Sequence, residues 1–324
     1  MPLIRILSRG NGHGLSRDLG LVASLLADAG NAVEPVAFSN EKGLRYLHMG
    51  GMWLERGWKG RADLQISLEH IYPPALPLAR RNLWMPNPEW FKPRWRDDLG
   101  DLSGTLCKTR HAEDIFAGFG CRPRFVGFTS EDRIDHAVPR QRRFLHLAGK
   151  SPVKGTEAVL EAWRRHPEWP ELVVVQTSRH ARVGAVPAGN IDHRVGRMPN
   201  DELRRLQNAC RFHLSPSEAE GFGHCLVEGM SVGAVILTTD GEPMNELVRP
   251  GRGLLIEPAR VGTLGLARRH FVDAAGIERA VAQALAMTDA EVEAMGAAAR
   301  AAFEAMDRDF RERFAGHVAE MSRH

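Results

Sequence analysis

The chain has 324 residues and four cysteines, Cys107, Cys121, Cys210 and Cys225, and no two of them form a Cys-x-x-Cys pair. That argues against a disulfide framework and a structural zinc site, and predicts reduced, mostly buried thiols. No apolar run approaches the roughly 18 residues of a membrane span; stretches such as Val232–Leu237 have the length of a core strand. The opening Met-Pro-Leu-Ile-Arg-Ile-Leu-Ser-Arg-Gly is too short and too early charged for a secretory signal, so a soluble, cytoplasmic chain is expected. No internal repeat of 20–50 residues is evident, which sets solenoids and propellers aside. What is present is ordinary for a globular protein: 43% hydrophobic and 26% charged residues. At about 150 residues per domain, the length predicts two domains. The net charge of +3 is unevenly spread, with 21 Lys and Arg against 16 Asp and Glu in residues 1–143 and 22 against 24 in residues 144–324.

Apolar runs alternate with helical patterns from end to end. Leu3–Leu7 reads as a buried strand, followed by the glycine-punctuated loop Arg9-Gly10-Asn11-Gly12-His13-Gly14. Leu19, Val22, Leu25 and Leu26 then recur at helical spacing, Gly30 stops that helix, and Val33–Phe38 is the next strand. Strand, glycine turn, helix and strand make a βαβ unit and imply a parallel sheet. Six prolines in residues 72–96 exclude long helices there. Leu102–Cys107 and Arg124–Phe128 read as strands around a helix at His111–Phe119. The polar, basic stretch Ile134–Arg143 reads as a linker. A second alternation follows: strand Phe144–Ala148, helix Gly155–Arg165, strand Glu171–Gln176, helix Asp201–Asn208, strand Phe212–Ser215, helix Leu226–Ser231 and strand Ala234–Thr238. Ala-rich helix fills Ile277–Met321.

The most informative segment is Pro216-Ser217-Glu218-Ala219-Glu220-Gly221-Phe222-Gly223-His224-Cys225-Leu226-Val227-Glu228, followed by Glu246-Leu247-Val248 and Gly253-Leu254. Gly221 and Gly223 free the backbone at a strand-to-helix turn, so amide N–H groups can face an anion at the helix N-terminus. Glu220 precedes the turn and Glu228 lies about one and a half turns into the helix. Ionised carboxylates there suit a hydroxyl-rich ligand, because each accepts hydrogen bonds from paired OH groups.

This string, in this order, resembles the retaining GT-B glycosyltransferases of the family-4 type, with their Pro-Ser-x-x-Glu-Gly-Phe-Gly and Glu-x7-Glu patterns. His146-Leu147-Ala148-Gly149-Lys150-Ser151-Pro152-Val153-Lys154-Gly155 resembles the family loop in which two cations grip a diphosphate. Lys154 matches the family lysine, whereas Lys150 stands where the family has arginine, which keeps the charge and loses the bidentate fork. Arg197–Leu203 is similar to the family's loop and helix before the nucleotide site. The likeness covers about residues 140–265.

The resemblance implies an α/β fold of GT-B type, two Rossmann-like domains facing across a cleft. With the boundary drawn in the basic stretch Ile134–Arg143, the acceptor-side domain spans 1–139 and the nucleotide-sugar domain 140–324, with the last helix either staying there or packing on the first domain. It implies a nucleotide diphosphate sugar as co-substrate, a UDP-sugar in first place, with no cofactor and no metal. Glu228 would hydrogen-bond the donor ribose and Glu220, beside the backbone of Gly221, Phe222 and Gly223, the hydroxyls of the transferred sugar. Lys150 and Lys154 would neutralise the leaving diphosphate.

In the first domain, Gly12 and Gly14 are candidates for backbone approach to the donor, and His13 for the reacting centre. The family often has a histidine after a later first-domain strand; here Leu83–Phe91 has none, and Asn87 or Glu89 are the substitutes. Arg80, Arg81, Lys92, Arg94 and Arg96 interleave with Trp84, Trp90, Phe91 and Trp95. Trp90, Arg94 and Arg96 are therefore acceptor-side candidates, for a glycan, a lipid-linked sugar or a small molecule. A modified base in DNA is the alternative acceptor, because basic groups with aromatic plates also suit nucleic acid. A non-catalytic sugar-nucleotide-binding protein is the alternative outside the enzymes. His70, His111 and His136 have no partner pattern and read as structural or surface residues.

Overall fold

The computed structural model describes residues 1–10, 14–177 and 189–323. Backbone proximity divides the chain into two units, Met1–Phe128 with Arg308–His324, and Thr129–Asp307.

The first unit contains β1 (Leu3–Arg9), α1 (Gly14–Asp28), β2 (Ala32–Phe38), α2 (Lys42–Lys59), β3 (Ala62–Leu68), β4 (Ala79–Met85), β5 (Gly104–Cys107), α3 (Arg110–Ala117) and β6 (Pro123–Phe125). The strands form one parallel sheet in the order β2-β1-β3-β4-β5-β6. Ile4, Ile6 and Leu7 are fully buried, as a strand covered on both faces requires. Leu15, Val22, Leu25 and Leu26 form the buried stripe of α1, and Gly30, at φ +81°, follows it in the left-handed region.

The proline-rich segment holds no long helix, only single turns at Pro73–Leu78, Pro88–Trp90, Pro93–Trp95 and Asp97–Asp101. β4 nevertheless runs between them, because no proline falls within Ala79–Met85. Trp84 packs edge-on against Phe116 at 5.0 Å and against Trp95 at 6.2 Å. Two tryptophans of the basic-aromatic cluster are thus core. Phe310 and Phe314, near the end of the C-terminal helix, are buried in this unit, with Phe310 5.0 Å from Phe128.

The second unit contains β7 (Gln141–Gly149), α4 (Thr156–Arg165), β8 (Leu172–Gln176), β9 (Ile191–Val195), α5 (Asn200–Ala209), β10 (Cys210–Ser215), α6 (His224–Ser231), β11 (Val235–Thr239), α7 (Met244–Leu247), β12 (Gly253–Ile256), the hairpin β13 (Arg260–Leu264) and β14 (Ala267–Phe271), α8 (Ala274–Ala286) and the start of α9 (Asp289–Arg323). Its parallel sheet runs β12-β11-β10-β7-β8-β9. Phe144 and Phe212 stack at 4.8 Å across neighbouring strands, and Trp163 of α4 closes on Phe144 at 5.0 Å.

The division falls at 128/129, where composition had suggested 139/140. Residues 129–139 are tied into the second unit by hydrogen bonds. Ser130 Oγ lies 2.6 Å from His224 Nδ1, and the buried Arg133 donates through Nε to Gln207 Oε1 at 2.9 Å and through a terminal nitrogen to Asn200 Oδ1 at 2.8 Å. No helix among the described residues is long and apolar enough to cross a membrane.

Candidate functional site

In the second sheet the chain order reverses between β7 and β10, which are neighbours: β8 and β9 lie beyond one, β11 and β12 beyond the other. In open parallel sheets, ligands bind outside the carboxyl ends of the strands at such a switch point. The loops that leave β7 and β10 there are Lys150–Gly155 and Pro216–Gly223, the two segments that sequence singled out. They are joined directly, since Glu218 N–H donates to the Val153 carbonyl at 2.9 Å. Each leads into a helix capped by a left-handed glycine, Gly155 before α4 and Gly223 before α6. Two helix N-termini, with first-turn amides that have no acceptor inside the helix, therefore open on adjoining loops.

Across this junction Lys154 Nζ donates to Glu220 Oε1, both side chains about 15% exposed. A second N–H of the same ammonium points at Cys225 Sγ, 3.4 Å away. Burial works against the Lys154 charge, but the Glu220 carboxylate and the hydrogen bonds to Glu220 and Cys225 outweigh it and hold the lysine above its usual titration range. Burial pushes the Cys225 thiol up, so it stays protonated at neutral pH. Lys150 is exposed, in the turn after β7.

Glu228 is 4% exposed. Its Oε2 accepts from Gln207 Nε2 at 2.8 Å, and Gln207 in turn accepts from Arg133, so a buried chain of three side chains orients the carboxylate. Phe222, in the turn before α6, is buried, its ring edge-on to His224 at 5.4 Å.

His146, on β7, fixes the frame. Its Nδ1 donates to the Leu214 carbonyl at 2.8 Å, so Nε2 is the atom that accepts from Thr156 Oγ1 at 2.9 Å. Burial lowers its pKa to about 4, which keeps the ring neutral. Among the described residues no group of three or more His, Cys, Asp or Glu side chains could hold a metal ion.

In the first unit, Gly12 and His13 lie outside the described residues. Gly14 is the first residue of α1, with open space where a Cβ would stand. Asn87 donates to Glu69 Oε2 at 2.9 Å, Glu89 is buried and Trp90 is 52% exposed. Arg96 lies over the Phe119 ring at 5.0 Å. Arg94 instead faces a cavity together with Lys92 and Trp95.

Gln207, His146 and Cys225 were not assigned roles from sequence. Gln207 sits in an ordinary polar helix pattern, and only the fold shows that its amide bridges Arg133 and Glu228.

Residues 128–273 match the protein family described as Glycosyl transferases group 1. Three solved structures show the same architecture over nearly all of both chains. A glycosyltransferase from Rickettsia africae is 12% identical, covering 99% of each chain with a TM-score of 0.77. Sucrose-phosphate synthase from Thermosynechococcus elongatus is 14% identical, with 99% of each chain and a TM-score of 0.76. Anabaena HepE in complex with UDP is 14% identical, covering 99% of this chain and 100% of its own, with a TM-score of 0.72. No curated protein matches the sequence. The fold is that of the GT-B glycosyltransferases.

Proposed function

We propose that the protein is a retaining, family-4-type glycosyltransferase that moves a sugar from a nucleotide diphosphate sugar to an acceptor hydroxyl without a metal ion. The observation that carries this reading is the junction at the second switch point, where Lys154 meets Glu220 between two glycine-capped helix N-termini. Oriented backbone amides and fixed cations stabilise the charge that develops on a leaving diphosphate. Two of the three N–H groups of Lys154 are directed at Glu220 and Cys225, and the third serves the phosphate. Lys150, on its exposed turn, adds a second cation.

In this reading Glu228, held by Gln207, accepts the ribose hydroxyls, Glu220 takes hydroxyls of the transferred sugar, and the departing phosphate receives the acceptor proton. HepE was solved with UDP, and the same nucleotide is the first choice here. The acceptor is a glycan, a lipid-linked sugar or a small molecule. No specific observation favours the modified-DNA alternative, since Trp84, Trp95 and Phe91 are buried and Trp90 alone of the cluster's aromatic rings is exposed.

The test is incubation with a panel of nucleotide sugars, read as nucleoside diphosphate release. Release from one donor, undiminished by excess EDTA and lost in Lys154→Ala, is the expected result. Activity abolished by EDTA and restored by magnesium would overturn the lysine assignment. Nucleotide binding without turnover on any donor and acceptor would favour the non-catalytic alternative.

A further inference from the structure

The first unit has a site of its own, built like the second at a reversal of chain order. In its sheet β1 and β3 are neighbours, with β2 beyond one and β4 beyond the other. A cavity of about 610 Å³ opens at the carboxyl ends of these four strands, where Arg9 ends β1, Asn40 follows β2, His70 follows β3 and Lys92 follows β4. That volume falls in the range of small-ligand pockets.

Its lining is strongly cationic: Arg9, Lys42, Arg45, Lys92 and Arg94, against the single acid Asp98. Among the described residues none of these five cations forms an ion pair. Arg9 Nε instead donates to the neutral Asn40 Oδ1 at 2.5 Å. Burial, together with Arg94, Arg9 and Arg45, pulls the Lys92 ammonium below its usual range, with the Glu69 carboxylate pulling the other way. A bound anion would relieve the crowding of these cations. Tyr72, in the same lining and 9% exposed, has a buried hydroxyl with no hydrogen-bond partner among the described residues. Buried hydroxyls almost always have one, and an anionic oxygen would supply it. Tyr46, also in the lining and 65% exposed, offers an aromatic face to a sugar ring.

We propose that this cavity binds the phosphate group of a phosphorylated saccharide, with Arg9, Arg45, Lys92 and Arg94 on the phosphate oxygens. The saccharide is then the acceptor, a step that rests on the transferase reading above. Three arginines and a lysine around one cavity suit a phosphate, because its three oxygens and up to two negative charges can meet several cations at once, where a carboxylate offers two oxygens and one charge. The cations line a bounded cavity of small-ligand size rather than a surface stripe, which favours a small ligand over a polymer.

Calorimetric titration of the full chain with glucose 6-phosphate, fructose 6-phosphate and mannose 6-phosphate, and with the three unphosphorylated hexoses, tests the proposal. At least one phosphate should bind 30-fold or more tightly than its parent sugar, and inorganic phosphate should displace it. Arg45→Gln combined with Lys92→Gln should weaken binding at least tenfold, and Tyr72→Phe, which removes only the hydroxyl, at least threefold. UDP, titrated in parallel, should bind these variants as it binds the wild type. Loss of UDP binding by the wild type itself would count against the transferase reading and leave the phosphate result standing. Equal affinity for sugar and sugar phosphate, or full affinity in the double variant, would overturn the cavity assignment. So would binding of phosphatidic-acid vesicles through Arg45 and Lys92 with no hexose phosphate bound.

Discussion

Gly155 faces Pro216 so closely that a Cβ added to Gly155 would stand 2.5 Å from the Pro216 carbonyl oxygen. The glycine also sits at φ +66°, in the left-handed region that disfavours other residues. The loop carrying Lys154 and the loop carrying Glu220 therefore meet at a point where only glycine fits.

Gly155→Ala should consequently disturb both loops at once. The left-handed conformation alone costs about 1–2 kcal/mol, and the clash with a backbone atom adds to it. A lower melting temperature together with UDP binding weakened at least tenfold is the expected outcome. Unaltered UDP affinity in Gly155→Ala would separate the loop junction from donor binding.

Glu228→Gln keeps the volume and leaves Gln207 an amide oxygen to bond. What it removes is the charge, and a hydrogen bond to a charged group is worth roughly 1.5–3 kcal/mol. UDP should therefore bind about 10- to 100-fold more weakly, while thermal unfolding changes little. A dissociation constant equal to that of the wild type would take Glu228 out of the ribose role.

Two buried histidines make the second unit acid-sensitive. Burial lowers His146 and His213 each to about 4. His213 Nε2 is 2.9 Å from the Gln207 carbonyl, and its ring is packed against Gly229. With folded-state values below the unfolded value near 6.5, the unfolded chain binds more protons between about pH 6.5 and 4, so stability falls as pH falls through that window. From pH 7 to pH 5 the loss is roughly 2 kcal/mol per histidine, before most carboxylates titrate. Urea unfolding at pH 7, 6 and 5 should show the decline, and His213→Gln should flatten it. A stability independent of pH over this range would mean that neither ring is held neutral.

Sequence carried the second unit further than the first. Phe144–Ala148, Phe212–Ser215 and Ala234–Thr238 are mainly apolar runs, as buried parallel strands require, broken only by His146, His213 and a terminal hydroxyl residue, and the loops after the first two hold the glycines that mark the site. β9, Ile-Asp-His-Arg-Val, is an edge strand with half-buried side chains and shows no such run. α2 was missed because its pattern contradicts its burial. Gly50, Gly51 and Gly57 interrupt it, and Leu44, Leu47, Leu54 and Trp58, a stripe at helical spacing, are 52–73% exposed while Met49 and Met52 face the core. β3 carries a buried Gln65 that donates to Asn82 Oδ1 at 3.0 Å, a pairing no local pattern announces. The cationic cavity draws Arg9, Arg45 and Lys92 from three separate segments, so only folding assembles it.

The least legible feature of the first unit is also its most vulnerable. Lys108, just after β5, donates to Asp18 of α1 at 2.6 Å, both side chains 3% exposed, and its ammonium lies 4.6 Å from the centre of the Phe128 ring. Removing one member of such a pair leaves the other charge buried without its counterion, which typically costs 3–5 kcal/mol. Lys108→Met preserves most of the stem and removes the charge, so its cost reports the loss of the Lys108–Asp18 ion pair rather than a cavity. Lys108→Met should therefore lower the urea midpoint strongly with an unchanged slope, whereas Lys108→Met with Asp18→Leu should regain a large part, because apolar replacements for a buried pair are often close to neutral. If the single variant lost less than about 0.5 kcal/mol, within the ordinary range for a surface change, the pair would not be the buried clamp between α1 and the end of β5 that its geometry describes.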